Sequence, residues 1–505
     1  MLDKLKITIK DSLIYSLGNI STKIIGLILL PLYLKELSVE EYGMLGILEI
    51  TLQIFVALFS FSVYQAFYRW YWDKKYRNKQ QSLFFTSLFF NTSSAIIMVL
   101  IFFLFAEKIS IILLDSTKYK YLLRLMLISA GLQLITMIPL FLMRLQRKAI
   151  FFATSNILKL IVTLSFTIYF IVYQGKKLDG IFEAQIIGFI FLIIITSKFI
   201  IQNIRLKLEL FALKEMLKYS YPLMLSTIGG LMLNMADRYF IRYLEGLNSM
   251  GVYNLGFKVV NVLKIVFIQS AFSAINPLRF KLMNNPDHKR FYSKIMTYTV
   301  FGFLIFQMIL MFFSKELLFL LSENKPQWGT LQVIGALQII PVLCYAKLFE
   351  IFRLNVIIGL KIRKKTQIIS TIMIVASVIN ILLNYFFISL FGTIGAAIAS
   401  LVAQILFFIL IYYYAQKHYR LHYEITKVLK MTGVSVVLTI IAYNINSVIL
   451  IPRIFIKGSL ILSFPFLLYF LGVYEQIELT RIREAWRKWK NPRNWGKNLK
   501  KIKIK

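Results

Sequence analysis

Apolar positions along this chain fall in long unbroken blocks, neither alternating as in a half-buried strand nor confined to the narrow stripe of a soluble helix. A helix needs about 20 residues to cross a hydrocarbon core of roughly 30 Å. Scanning for runs of that length predicts fourteen spans. The first seven are 12–34, 42–66, 83–106, 121–143, 150–172, 180–201 and 219–241. The other seven are 251–274, 295–313, 330–350, 366–388, 393–415, 431–450 and 458–474. Pro452, Arg453 and Lys457 interrupt the last pair, so a count of twelve also fits. The pattern predicts an all-α polytopic membrane protein.

Composition sharpens this reading. The 505 residues are 58% hydrophobic and 16% charged, with a mean hydropathy of +0.70, outside the range of soluble domains. The first apolar run follows "MLDKLKITIK" but is too long for a signal-peptide core and has no small-residue cleavage site, so it reads as a retained helix. Of the 59 Lys and Arg residues, 41 fall on the side shared by the N-terminus and the tail, with Lys198 at the cytoplasmic end of span 6 counted among them, 11 on the other side and 7 deeper within spans. The positive-inside rule then places both termini in the cytoplasm. The net charge of +36 is spread through short loops beside the bilayer, where it sets topology and meets anionic headgroups, and this argues against a nucleic-acid partner. Cys344 is the single cysteine, so no intramolecular disulfide forms.

An internal repeat organises the spans. At an offset of 210, "YLKELSVEEYGMLG" from Tyr33 aligns with "YLEGLNSMGVYNLG" from Tyr243. At 212, "LDGIFEAQII" from Leu178 aligns with "LFGTIGAAIA" from Leu390. Six spans is an even number, so the halves enter the membrane in the same direction, related by an axis along its normal. The expected organisation is a six-helix lobe at 1–201, a cytoplasmic linker at 202–218, a second six-helix lobe at 219–415, two added helices in 416–474 and a basic amphipathic tail at 475–505. In the tail, Leu479, Ile482, Trp486 and Trp489 share a helical face among basic residues, the pattern of an anchor for anionic lipid. Pro31, Pro139, Pro222 and Pro341 fall in spans 1, 4, 7 and 10, where they can kink helices.

Charges inside the spans carry the candidate chemistry. They are Lys23, Arg124, Lys159, Arg238, Lys258, Lys264 and Lys347 against Glu49, Glu183, Asp237 and Glu350. Each costs at least about 2.5 kcal/mol at a helix centre and should therefore face a cavity or a partner. Treating spans 1 and 2 as a hairpin puts Lys23 within a turn of Glu49, and the same construction puts Lys258 within a turn of Asp237. Two equivalent ion pairs are expected. Lys23, Lys159 and Lys258 lie too deep to reach the headgroups easily. Arg238 fits either the outer headgroups or a cleft, and Lys264 fits either setting too. Lys347 and Glu350, three apart on one helix, read as a local ion pair. Arg124 and Glu183 stand near the outer edge and read as headgroup contacts. His418 and His422 lack a third metal ligand, and no phosphate-binding glycine loop, nucleophile elbow or pair of catalytic carboxylates is evident. The chain reads as a transporter without enzymatic activity.

"PLYLKELSVEEYGMLGI", "ADRYFIRYLEGLNSMGVYNLGFKV", "NILLN" at Asn380 to Asn384 and "FGTIGAAIAS" together resemble the Wzx-type polysaccharide-biosynthesis flippases of the multidrug/oligosaccharidyl-lipid/polysaccharide exporter superfamily. The resemblance spans most of the chain. It implies alternating access of two lobes in the bacterial inner membrane, moving an undecaprenyl-pyrophosphate oligosaccharide outward for O-antigen, capsule or exopolysaccharide assembly. It also implies a cationic cavity, no cofactor, coupling to an H+ or Na+ gradient, and a glycan polymerase and glycosyltransferases as partners.

Of the charged residues, the motif reaches only Asp237 and Arg238; Lys23, Lys159, Lys258 and Lys264 enter as cavity residues by their depth, and Glu49 joins Asp237 as an ion-coupling candidate. An antiporter of cationic drugs is the rival within the superfamily, and a flippase for another lipid-linked anion fits nearly as well. A membrane glycan polymerase usually needs a larger outer loop than any here.

Overall fold

The computed structural model describes residue 26 and residues 28–283, 285–322, 328–363, 365–445 and 449–489. All regular structure in it is helical. Most of the first span, Lys23 included, and the end of the tail lie outside the described residues.

Helix α1 (Leu30–Glu36) carries Pro31 in its first turn, where a missing N–H costs nothing. The chain then turns at Leu37 and Ser38 into α2 (Val39–Phe59). The Ser38 side chain accepts from the Glu41 N–H at 3.1 Å while Glu41 accepts from the Ser38 N–H at 2.8 Å, a reciprocal cap that fixes the start of α2. Phe61 and Ser62 take left-handed backbone angles and steer the chain into a short helix, Val63–Trp70. Next come α3 (Gln80–Leu104), α4 (Lys120–Leu145), α5 (Ala149–Ile168) and α6 (Leu178–Asn203).

Helix α7 (Leu210–Val262) is two helices joined at Gly246, whose φ of 88° no side chain tolerates easily. After α8 (His288–Ser322) and α9 (Thr330–Val356), α10 (Thr366–His418) is divided in the same way at Gly392, φ 59°. These breaks are the turns expected between spans 7 and 8 and between spans 11 and 12. Eleven helices among the described residues are long and apolar enough to cross a membrane, two of them being such divided pairs. Pro139, Pro222 and Pro341 lie inside α4, α7 and α9.

By contacts the described chain forms two units, one of residues up to Tyr292 with Ser314–Leu421, the other of Ser293–Phe313 with the residues from His422 onward. In the first, α7 runs along α2, α9 and α10 and forms the spine. Lys347 and Glu350 on α9 make the local pair expected of them, at 3.0 Å and buried.

The second unit holds α11 (Ile425–Asn444), α12 (Leu450–Phe470) and α13 (Gln476–Trp489), with Phe464 stacked on Phe301 at 6.0 Å. Where the tail helix starts, Lys294 pairs with Glu424 at 2.8 Å and also with Glu475, and Lys427 bridges Glu424 at 2.8 Å and Glu475 at 3.1 Å. Burial alone would raise the Glu424 carboxyl, but hydrogen bonds from Lys294, Lys427 and Thr297 outweigh it and hold it down at about 2. A depressed carboxyl stabilises the fold above its unfolded value of roughly 4.3 and loses that contribution as pH falls toward the folded value. The midpoint of thermal unfolding should therefore drop between about pH 4.5 and pH 2. Glu424→Gln should be less stable at neutral pH by about 1.5–3 kcal/mol, so its midpoint starts lower and shows less of this acid dependence. An equal acid response in the variant would show that the cluster contributes nothing.

Candidate functional site

The candidate charges gather where α2 meets α7, and they pair differently from the hairpin expectation. Lys258, on the second half of α7, donates to Glu49 of α2 at 3.3 Å. Its ammonium also stands 5.1 Å from the ring of Tyr42 and 5.5 Å from that of Tyr33. An aromatic face attracts a desolvated cation, so the two tyrosines and one carboxylate hold Lys258 between the two halves of the chain. The expected Lys258–Asp237 pair is corrected accordingly. The hairpin construction matched depth within one repeat, whereas α2 of one repeat packs directly against α7 of the other. Glu49 is thus engaged by a lysine of the opposite repeat, and its expected partner Lys23 lies outside the described residues.

Asp237 keeps its own company. It accepts from the Tyr253 hydroxyl and from the Arg238 backbone N–H, the latter at 2.9 Å, and is 2% exposed. Arg238 is buried as well. It is 4% exposed, its guanidinium lies 3.7 Å from the Phe257 ring, and its Nε has no hydrogen-bond partner. Beside Asp237 is a cavity of about 20 Å3 lined by Asn234, Lys347, Ser400 and Gln404 among others. That is room for one water-sized particle among polar groups.

Other candidates sit apart. Lys159 on α5 lies 3.1 Å from the Phe189 ring of α6 and has no acidic partner among the described residues. Lys264 is half-buried in a widened helical turn, Leu263–Ile268. Arg124 stacks on Phe103 at 4.7 Å, and Glu183 pairs with Lys176 at 2.8 Å.

On the side opposite the basic loops, the same seam is shut by backbone contact. A Cβ added to Gly43 of α2 would lie 2.2 Å from the Leu247 carbonyl oxygen, and one on Gly251 would lie 2.1 Å from that of Val39. Thr51 and Tyr239 hydrogen-bond across the seam at 2.7 Å, and Asn254 donates to the Tyr42 carbonyl at 3.3 Å. Arg242 pairs with Asp115 at 2.5 Å while its Nε donates to the Leu113 carbonyl at 2.8 Å. The two repeats therefore touch at one membrane face, with a partly buried cation–carboxylate pair behind the contact.

The family model for polysaccharide biosynthesis proteins matches residues 8–283, more than half of the chain. The chain belongs to that family. A second model, MatE, matches residues 222–386. Among solved structures, the chain is similar to a lipid II flippase, MurJ, in an inward closed conformation, with 16% identity, a TM-score of 0.72, and 92% of this chain and 100% of that one covered. It is also similar to a multidrug resistance MATE family transporter in an inward-facing conformation, with 12% identity, a TM-score of 0.60 and coverage of 80% and 94%. A transporter of the same superfamily from Pyrococcus furiosus, described as having a binding pocket of reversed polarity, gives 13%, 0.61, and 82% and 95%. Comparison with curated proteins returns no match. This polysaccharide-biosynthesis chain thus has the all-α fold shared by flippases and multidrug exporters.

Sequence reasoning missed the tyrosines. Tyr33 and Tyr42 were visible only as part of the internal repeat and a family motif, and Tyr253 as part of another motif. The spacing of Tyr253 from Asp237 across the Gly246 break was the available signal, since helices joined by a tight turn bring residues at similar distances from it near each other.

Proposed function

We propose that this protein moves a lipid-linked oligosaccharide, carried on undecaprenyl pyrophosphate, from the cytoplasmic to the outer leaflet of the bacterial inner membrane by alternating access. The observation that carries the proposal is Lys258 standing between the repeats, held by Glu49, Tyr33 and Tyr42 behind a seam that is shut at the opposite face. A pyrophosphate is an anion that competes with Glu49 for this lysine, and the exchange can be coupled to opening of the seam. The polyprenyl tail stays in lipid while the sugar crosses. Lys23, Lys159, Arg238 and Lys264 are proposed to extend the cationic path. Glu49 and Asp237 are proposed to take the coupling proton or Na+, Asp237 with the small polar cavity beside it. The tail is proposed to rest on anionic lipid.

The experiment is outward translocation of a fluorescent undecaprenyl-pyrophosphate oligosaccharide in reconstituted vesicles. Lys258 and Glu49 are only partly buried, so Lys258→Ala should cost at most about 1 kcal/mol of stability. It should nonetheless lower translocation at least about tenfold, the equivalent of one charge-assisted hydrogen bond to the phosphate. Lys23→Ala and Lys159→Ala test the rest of the path. Full activity in all three folded variants would overturn the site. The rival reading as an exporter of cationic drugs has the fold in its favour and the sign of Lys258 against it.

A further inference from the structure

Away from the seam, on the side where the basic loops lie, a cavity of about 320 Å3 opens among three connections of the first repeat. It is bounded by the segment before α3, the turn after α4 and the coil after α6. Arg77 and Arg205 line it from two different segments, together with Asn78, Gln80 and Gln81, and no carboxylate is in the lining. The nearby acids are already engaged. Glu215 holds Lys75 at 2.9 Å, and Glu209 holds Lys79 at 3.0 Å and Lys207 at 3.9 Å. Neither arginine has an ion-pair partner among the described residues. The floor is apolar, made by Tyr71, Phe84 and Leu142 of the packed core beneath. Gln80, Gln81 and Ser82 are the first turn of α3, so their backbone N–H groups have no partner within the helix.

We propose that this cavity is a binding site for a phosphate group at the membrane surface, separate from the transport path. Two planar guanidiniums suit the oxygens of a phosphate bidentately, and side-chain amides and free N–H groups add neutral donors. The apolar floor suits the start of an acyl chain, which makes an anionic phospholipid headgroup the favoured source over free phosphate. Arg205 lies in the coil that leads from α6 to α7, so an occupied site ties the connection between the repeats to α3.

The test uses the full chain in a neutral detergent, following thermal unfolding against dihexanoyl phosphatidylglycerol, dihexanoyl phosphatidylcholine and inorganic phosphate. The comparison is between wild type and Arg77→Gln/Arg205→Gln. Both arginines are exposed, so the variant should match wild type without ligand. Saturable stabilisation by the glycerol lipid but not the choline lipid, with half-saturation raised at least tenfold in the variant, is the expected result. Stabilisation by inorganic phosphate at equal concentration, with the same dependence on the arginines, would keep the site and assign it to free phosphate. A response identical in wild type and variant, or none to either anion, would overturn the proposal.

Discussion

Gly43→Ala is expected to force the seam open at the face opposite the basic loops. The added Cβ meets a backbone carbonyl oxygen at 2.2 Å, and neither helix can yield there by rotating a side chain. Overpacking of this kind costs about 1–3 kcal/mol. If that cost falls on the closed state alone, its population relative to the open state drops by roughly 5- to 150-fold. Gly251→Ala should act in the same direction, because its Cβ meets the Val39 carbonyl at 2.1 Å. Distances between spin labels on Glu40→Cys and Tyr243→Cys, both exposed positions flanking the seam, report the change. Gly433→Ala, with nothing within 4 Å, is the control. A distribution like wild type in Gly43→Ala would show that the close approach does not govern the state.

Asp237→Ala should be among the most destabilising single changes in the chain. Arg238 is buried with its Nε already unpartnered, and the Tyr253 hydroxyl loses its acceptor. Stranding a buried hydroxyl donor costs about 1–3 kcal/mol, and the nearby negative charge that offsets the buried guanidinium is lost with it. Asp237→Asn keeps an acceptor for Tyr253 and should lose less. Unfolding by denaturant in detergent micelles measures both. In the transport reading, Asp237→Asn also removes the dependence of translocation on an ion gradient. Wild-type stability of Asp237→Ala would mean that the Tyr253 hydroxyl finds another acceptor.

Much of the architecture was legible in the chain. Run length predicts the helices, and the gaps left between spans 7 and 8 and between spans 11 and 12 fall where Gly246 and Gly392 divide two long helices. Depth of charge was legible as well, because a lysine deep within an apolar run is costly wherever it points. What depth does not contain is direction around the helix axis. Placing Lys258 opposite Asp237 assumed that repeats pair within themselves, and the contact of α2 with α7 across repeats gave Lys258 a partner in the other repeat. Lys347 and Glu350 came out right because i,i+3 spacing on one helix requires no knowledge of a neighbour. The phosphate cavity was invisible for the converse reason: Arg77 and Arg205 lie in different loops and converge only in the fold.

The central claim is that the cation between the repeats serves an anionic, lipid-linked cargo. Its most direct test loads one batch of vesicles containing the wild-type protein with both an undecaprenyl-pyrophosphate oligosaccharide and a cationic dye, and follows the two under the same ion gradients. The expected result is outward movement of the lipid-linked sugar, slowed at least about tenfold by Lys258→Ala, with no transport of the dye. Dye extrusion that persists in Lys258→Ala, with the lipid-linked sugar left in place, would contradict it.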